Sequence, residues 1–156
     1  MEILRFDTRA EFQRQQRAVL ERAQASLALF DPDFSLFVLG EPDADAILRR
    51  FLRGGGTLRL VMHDPRHIER NWPRFLRLLR EHGHRIECRV TNRGIRQLTD
   101  SFCIADGVHL VRRFHSDHLR GEAAFDAPQE TEVPRERFAA IWEESQPGLH
   151  ATVTGL

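Results

Sequence analysis

Over residues 9–90, segments with helical periodicity alternate with short β-rich runs, and a chain with that rhythm has few ways to bury both kinds of element. Thr8 and Glu11 have capping-box spacing, and Phe12, Val19 and Ala23 then recur on one face, predicting a helix over residues 9–24. A strand is expected at residues 26–30, with a weaker extended segment at 35–39 after the turn-like Asp31-Pro32-Asp33. Pro42 opens a second helix whose apolar stripe is Ile47, Leu48, Phe51 and Leu52. Gly54-Gly55-Gly56 ends it and leads into a β-rich run at 57–62, so the glycines read as a helix stop rather than a phosphate cradle. A third helix over 67–82 is broken before Pro73, turns Phe75, Leu76 and Leu79 inward and a ladder of arginines outward, and closes at Gly83. Residues 85–90 then alternate, with Ile86, Cys88 and Val90 on one face. Strands joined through helices can pair in parallel, so a partly parallel sheet covered by helices follows.

The remainder adds antiparallel structure. Runs at 101–105 and 108–113 flank Asp106-Gly107, a dipeptide suited to a two-residue hairpin. A last helix is expected to start at Pro134, to present Phe138, Ile141 and Trp142 inward, and to stop at Pro147-Gly148; a short tail strand is expected around Thr152. The fold class is therefore α/β, a mixed sheet flanked by helices. Residues 1–156 are enough for one domain with a real core.

Composition closes several chemistries. All 23 positive charges are arginine, and neither lysine nor tyrosine occurs. A Schiff-base enzyme, a Gly-Lys-Ser/Thr phosphate loop, and any phosphodiesterase that needs a lysine all lack their reagent. No run reaches the roughly 20 apolar residues of a membrane span, and the charged opening does not suit a secretory signal, so a cytoplasmic location is expected. Cys88 and Cys103 sit in strand-like runs, as reduced core cysteines do. Net charge is zero, but residues 66–96 carry nine arginines against three acids, a basic block that reads first as solvated arginine faces and second as an attractor of phosphate.

The other candidate clusters are weak. His115, Asp117 and His118 are residue types that ligate first-row metals, yet their spacing in a loop is unspecific. Pro65 separates His63 from His67, and His82 and His84 flank a helix-ending glycine. Asp31 and Asp33 suit a turn, and Asp43 and Asp45 suit the first turn of a helix. No Ser-His-Asp elbow or dinucleotide fingerprint is present, and no cofactor is implied.

One segment carries a family likeness. Thr99-Asp100-Ser101-Phe102-Cys103-Ile104-Ala105-Asp106-Gly107 resembles the His-x-Lys-x-x-x-x-Asp strand of phospholipase D-type enzymes in spacing, apolar pattern and final Asp-Gly. Arg-Leu-Val-Met-His-Asp-Pro at 59–65, Gly-Glu-Ala-Ala-Phe at 121–125, and Phe138 with Trp142-Glu143 are similar to the family's flanking strands and closing helix, so the likeness spans roughly residues 25–148. Thr99 stands at the histidine position and Ser101 at the lysine position; only Asp106 matches. The chain resembles in particular bacterial domains that share this fold without its active site, some of them attached to acetyltransferase-type domains.

Attack on a phosphodiester needs a strong nucleophile and a cation at the developing charge, and a threonine and a serine supply neither. The strand contains no histidine to act as a base, although His109 lies across the hairpin. The resemblance thus implies one half of a phospholipase D-type fold that is not an enzyme: a homodimer with residues 99–107 near its axis, acting in ligand binding or protein interaction. Two readings of Thr99, Ser101, Cys103 and Ala105 stand side by side. In one, they are small residues packed beneath a neighbouring segment; in the other, Thr99, Ser101 and Asp106 form a vestigial pocket for a small phosphorylated or sugar-like ligand, with Arg89, Arg93 and Arg96 as anion-binding candidates. The alternatives are nucleic-acid binding through arginines such as Arg70, Arg74 and Arg77, and metal-dependent hydrolysis at His115, Asp117 and His118.

Overall fold

The computed structural model describes residues 1–149, so the strand expected around Thr152 lies outside the described residues. In chain order the elements are β1 (Glu2–Phe6), α1 (Arg9–Arg22), β2 (Ser26–Phe30), α2 (Pro42–Arg53), β3 (Thr57–Met62), α3 (Arg66–Asn71), α4 (Pro73–Glu81), β4 (Ile86–Thr91), a 3₁₀ turn (Arg93–Ile95), β5 (Ser101–Ala105), β6 (His109–Arg113), β7 (Gly121–Phe125), α5 (Pro128–Glu143) and β8 (Ser145–Pro147). All eight strands form one sheet in the order β1-β7-β6-β5-β2-β3-β4-β8. Only β2–β3 and β3–β4 run parallel; the other pairs are antiparallel.

Both faces of the sheet are covered, which is why its central strands carry apolar residues at successive positions rather than strict alternation. Leu27, Leu29, Leu58, Leu60, Cys103 and Val111 meet the inward stripes of α1, α2 and α4. Phe30, Val61, Phe102, Ile104 and Leu110 meet Phe138, Ile141 and Trp142 of α5. Both cysteines are buried and unpaired, and desolvation pushes the Cys88 thiol up to about 12.

Local chemistry explains where the elements start and turn. The Thr8 hydroxyl accepts the Glu11 amide at 3.2 Å, a cap whose loss costs about 1 kcal/mol, while the Glu11 carboxylate engages Arg14 and Gln15 instead of closing the box. Asp106 and Gly107 both adopt positive φ, 55° and 70°, and with Val108 they make a three-residue loop between the paired Ala105 and His109, one residue longer than a two-residue hairpin. At Gly121 a Cβ would sit 2.0 Å from the Arg112 carbonyl oxygen, so only glycine lets β7 pair there with β6.

The structure corrects four expectations. Residues 35–39 form turns, because Gln16 takes the place of a strand partner: its side chain accepts the Val38 amide and donates to the Leu36 carbonyl. Strand β1 was not foreseen, since its residues are exposed up to Phe6 and it shows no buried pattern. Helix α5 begins at Pro128 rather than Pro134. The Thr131 hydroxyl fastens its first turn by bonding the Gly107 and Pro128 carbonyls, and Pro134 is carried inside the helix. Finally, the helix stops at Glu143, before Pro147-Gly148, and residues 145–147 become β8, an edge strand where a proline's missing N–H is harmless.

Candidate functional site

In an open α/β sheet, the crevice outside the carboxyl ends of the parallel strands is where ligands usually bind. Here those ends belong to β2, β3 and β4, and they bring Asp31, His63 and Thr91 to one edge. Antiparallel β5 starts at the same edge with Ser101, and β6 ends there with Arg113, its register partner. The segment that resembles a phosphodiesterase motif therefore begins where such chemistry would be expected.

That edge is filled by an internal ion pair. The Arg113 guanidinium donates to Asp31 Oδ1 at 2.9 Å, to Ser101 Oγ at 3.3 Å and to the Ser116 carbonyl at 2.9 Å, and lies 5.1 Å above the Phe12 ring. The Arg113 and Asp31 side chains are 3% and 1% exposed. Asp31 Oδ2 accepts the amides of Asp33 and Phe34, which ties the carboxylate to the turn after β2. Burial pushes the Asp31 carboxyl up, and the Ser101 hydroxyl, the Arg113 guanidinium and the two amides pull it back. A buried charge stays ionised only when so surrounded, and this guanidinium, fully engaged, is not free to hold a phosphate.

Thr99 is half-buried, and its carbonyl accepts the Ser116 amide at 2.9 Å, so the loop after β6 folds back over it. His63 also reaches this edge. Its Nε2–H donates to the Leu98 carbonyl at 2.8 Å, and its Nδ1 accepts the Thr91 hydroxyl at 2.6 Å. With both nitrogens engaged, His63 anchors the loop between β4 and β5 and is not itself a free base. His109 lies at the other end of β6, opposite Ala105, where its Nδ1 accepts the Asp126 amide.

Asp106 does not join Ser101. It follows the last residue of β5, about 16 Å along the strand from Ser101 at the usual rise per residue. Its carboxylate accepts the amides of Gln24, Ala25 and Ser26 at 3.0, 2.7 and 2.9 Å. Burial opposes ionisation there, but the three amides outweigh it and hold the carboxyl below the usual range. The expected pocket of Thr99, Ser101 and Asp106 is thus divided between two ends of the sheet, because the strand residues Phe102 to Ala105 separate Ser101 from Asp106. Ser101, Cys103 and Ala105 are instead buried on the face that α1 covers.

The anion-binding candidates also separate. Arg89 donates to the Trp142 carbonyl and stacks 4.3 Å over its ring, Arg96 reaches the Thr91 carbonyl, and Arg93 is exposed. His115 turns its Nδ1 to the Asp117 amide, and among the described residues no group of three potential ligands is arranged to hold a metal ion; His115, Asp117 and His118 lack a common focus. Among the described residues no helix is long and apolar enough to cross a membrane. Asp31 and Arg113 were missed as partners; their one signal in sequence was that each is a charge flanking an apolar strand.

With this geometry in place, the likenesses to known proteins can be read. The sequence model of a family described as "Domain of unknown function (DUF7931)" matches residues 8–150. No curated protein matches in sequence. Among solved structures, the chain is similar to the phospholipase D family member Nuc from Salmonella typhimurium, at a TM-score of 0.69 and 14% identity, covering 94% of this chain and 97% of that one. It is similar to NucT from Helicobacter pylori at 0.64 and 8% identity, covering 94% and 99%. TrmBL2, an archaeal chromatin protein whose structure is described as showing a novel mode of DNA binding, matches at 0.71 and 12% identity, over 95% of this chain and 54% of its own. At such identities the likeness establishes a phospholipase D-like fold.

Proposed function

The chain belongs to the DUF7931 family and has a phospholipase D-like fold, and from that premise we propose that it is a single, non-catalytic domain that binds a small ligand or another protein. The observation that carries this reading is the Arg113–Asp31 pair beside Ser101. The guanidinium that bonds the residue at the lysine position is neutralised internally, and the imidazole of His63, bonded to Leu98 next to Thr99, has both nitrogens engaged. Neither the nucleophile nor the transition-state cation of diester hydrolysis is then on hand.

The interaction role takes its simplest form as a homodimer, with a phosphorylated or sugar-like ligand or an acetyltransferase-type protein as the partners that the resemblance suggests. Purified protein incubated with bis(p-nitrophenyl) phosphate is expected to release no more nitrophenol than buffer. Turnover that disappears on Thr99→Val would overturn the reading. Sedimentation velocity then checks the dimer, and a thermal-shift screen of sugar phosphates checks the ligand.

A second reading is favoured by one observation. Arg70, Arg74 and Arg77 are exposed along α3 and α4 and form no ion pair among the described residues, leaving a basic ridge that suits nucleic-acid phosphates. Binding of a labelled DNA duplex that weakens steeply with salt, and weakens again when all three become glutamine, would support it. Salt-independent binding, or none, would remove it.

A further inference from the structure

At the opposite end of the sheet from Ser101, a cleft of about 310 Å³ opens between α5 and the beginnings of β2 and β3, a volume at the lower end of the range of small-molecule sites. Ser26 and Thr57, paired across those strands, place two hydroxyl-bearing side chains at its rim. Its floor is apolar, made by Ala28, Ile104 and Phe138. Two cations flank it. Arg59 projects from β3 with its guanidinium over the Trp142 ring, 5.2 Å from the centroid, and among the described residues only a 4.0 Å approach to Glu87 balances its charge. Arg135 projects from α5 over Gly107, where a Cβ would lie 3.4 Å from its Nε, and it forms no ion pair among the described residues.

The sole carboxylate in the lining is that of Asp106, whose oxygens already accept three backbone amides. The cleft thus combines an apolar floor, hydroxyl donors and two under-neutralised guanidinium groups. We propose that it binds a small anion with an apolar body, an aromatic or short aliphatic group bearing a phosphate or carboxylate. The body would lie on Phe138 and Ile104, and the head group would meet Arg59 and Arg135 in charge-assisted hydrogen bonds. This site is independent of the Ser101 edge, so it stands or falls apart from the absence of catalysis.

The test is amide NMR titration of the whole chain with phenyl phosphate, alongside inorganic phosphate and phenol as its two halves. Phenyl phosphate is expected to shift amides at residues 26–28, 57–59, 104–107 and 138, and to bind more tightly than either half. Arg59→Gln and Arg135→Gln, both at exposed positions, should each weaken it about tenfold, whereas Arg120→Gln, on an exposed loop elsewhere, should not. Shifts confined to other residues, affinity unchanged in both arginine variants, or inorganic phosphate binding as tightly as phenyl phosphate would each overturn the proposal.

Discussion

The two ends of β5 carry the same motif likeness and treat it in opposite ways. At its start, the positions that would do chemistry hold Thr99 and Ser101, and the surrounding charges, Asp31 and Arg113, are satisfied by each other. Just past its end, the matching Asp106 persists with a carboxylate that organises backbone, receiving the amides that connect α1 to β2. A residue of a catalytic pattern can therefore match for a reason that is not catalytic. Asp106 pins a hairpin turn to the neighbouring connection.

The largest expected effect lies at the chemical end. Replacing either Asp31 or Arg113 by alanine leaves the other charge buried alone, and urea unfolding should record a loss of about 3–5 kcal/mol. The double variant Asp31→Leu with Arg113→Met should recover much of that loss, because the isolated charge is gone. If the single variants cost under about 1 kcal/mol, the edge is open to solvent and the contrast between the two ends collapses.

Smaller, and on the structural end, Asp106→Ala strands three amides and should cost about 2 kcal/mol. Its pH dependence follows from the lowered carboxyl. The carboxylate's contribution is complete above the unfolded value near 4 and fades as pH falls through the lower folded value, so the stability gap between native protein and Asp106→Asn should narrow only in that acid window. A constant gap down to the lowest pH would assign Asp106 a different role. The smallest effect is Thr99→Val, expected within about 0.5 kcal/mol of the native protein in the same unfolding experiment. A larger loss would mean that the Thr99 hydroxyl, and not only its backbone, holds the loop after β6.

Legibility in the sequence followed the range of the interactions involved. Thr8 with Glu11, Pro42 and the glycine run act through neighbours a few residues away, and each marked its element correctly, while Asp106-Gly107 marked the hairpin but not the third residue of its loop. Pro134 misled because the true start of α5 is set by Thr131 reaching the distant Gly107 carbonyl. Residues 35–39 misled because Gln16, on another element, takes their hydrogen bonds. The character of the candidate site was half visible. Thr99 and Ser101 could be read at the positions where the resemblance puts imidazole and ammonium, but the pairing of Arg113 with Asp31 spans 82 residues and marks the sequence only as a charge flanking each apolar strand. The distance between Ser101 and Asp106 was in principle legible, since the four residues between them, Phe102 to Ala105, read as strand.

The placement of β1 has a consequence for biosynthesis. Among the described residues its one neighbour in the sheet is β7, in a register that sets Glu2 against Phe125. During synthesis residues 2–6 therefore stay without this partner until residues 121–125 have followed them. Meanwhile the parallel ribbons and the hairpin assemble from closer segments. That edge of the sheet thus forms late, and a ribosome stalled before β7 would leave β1 without a seat.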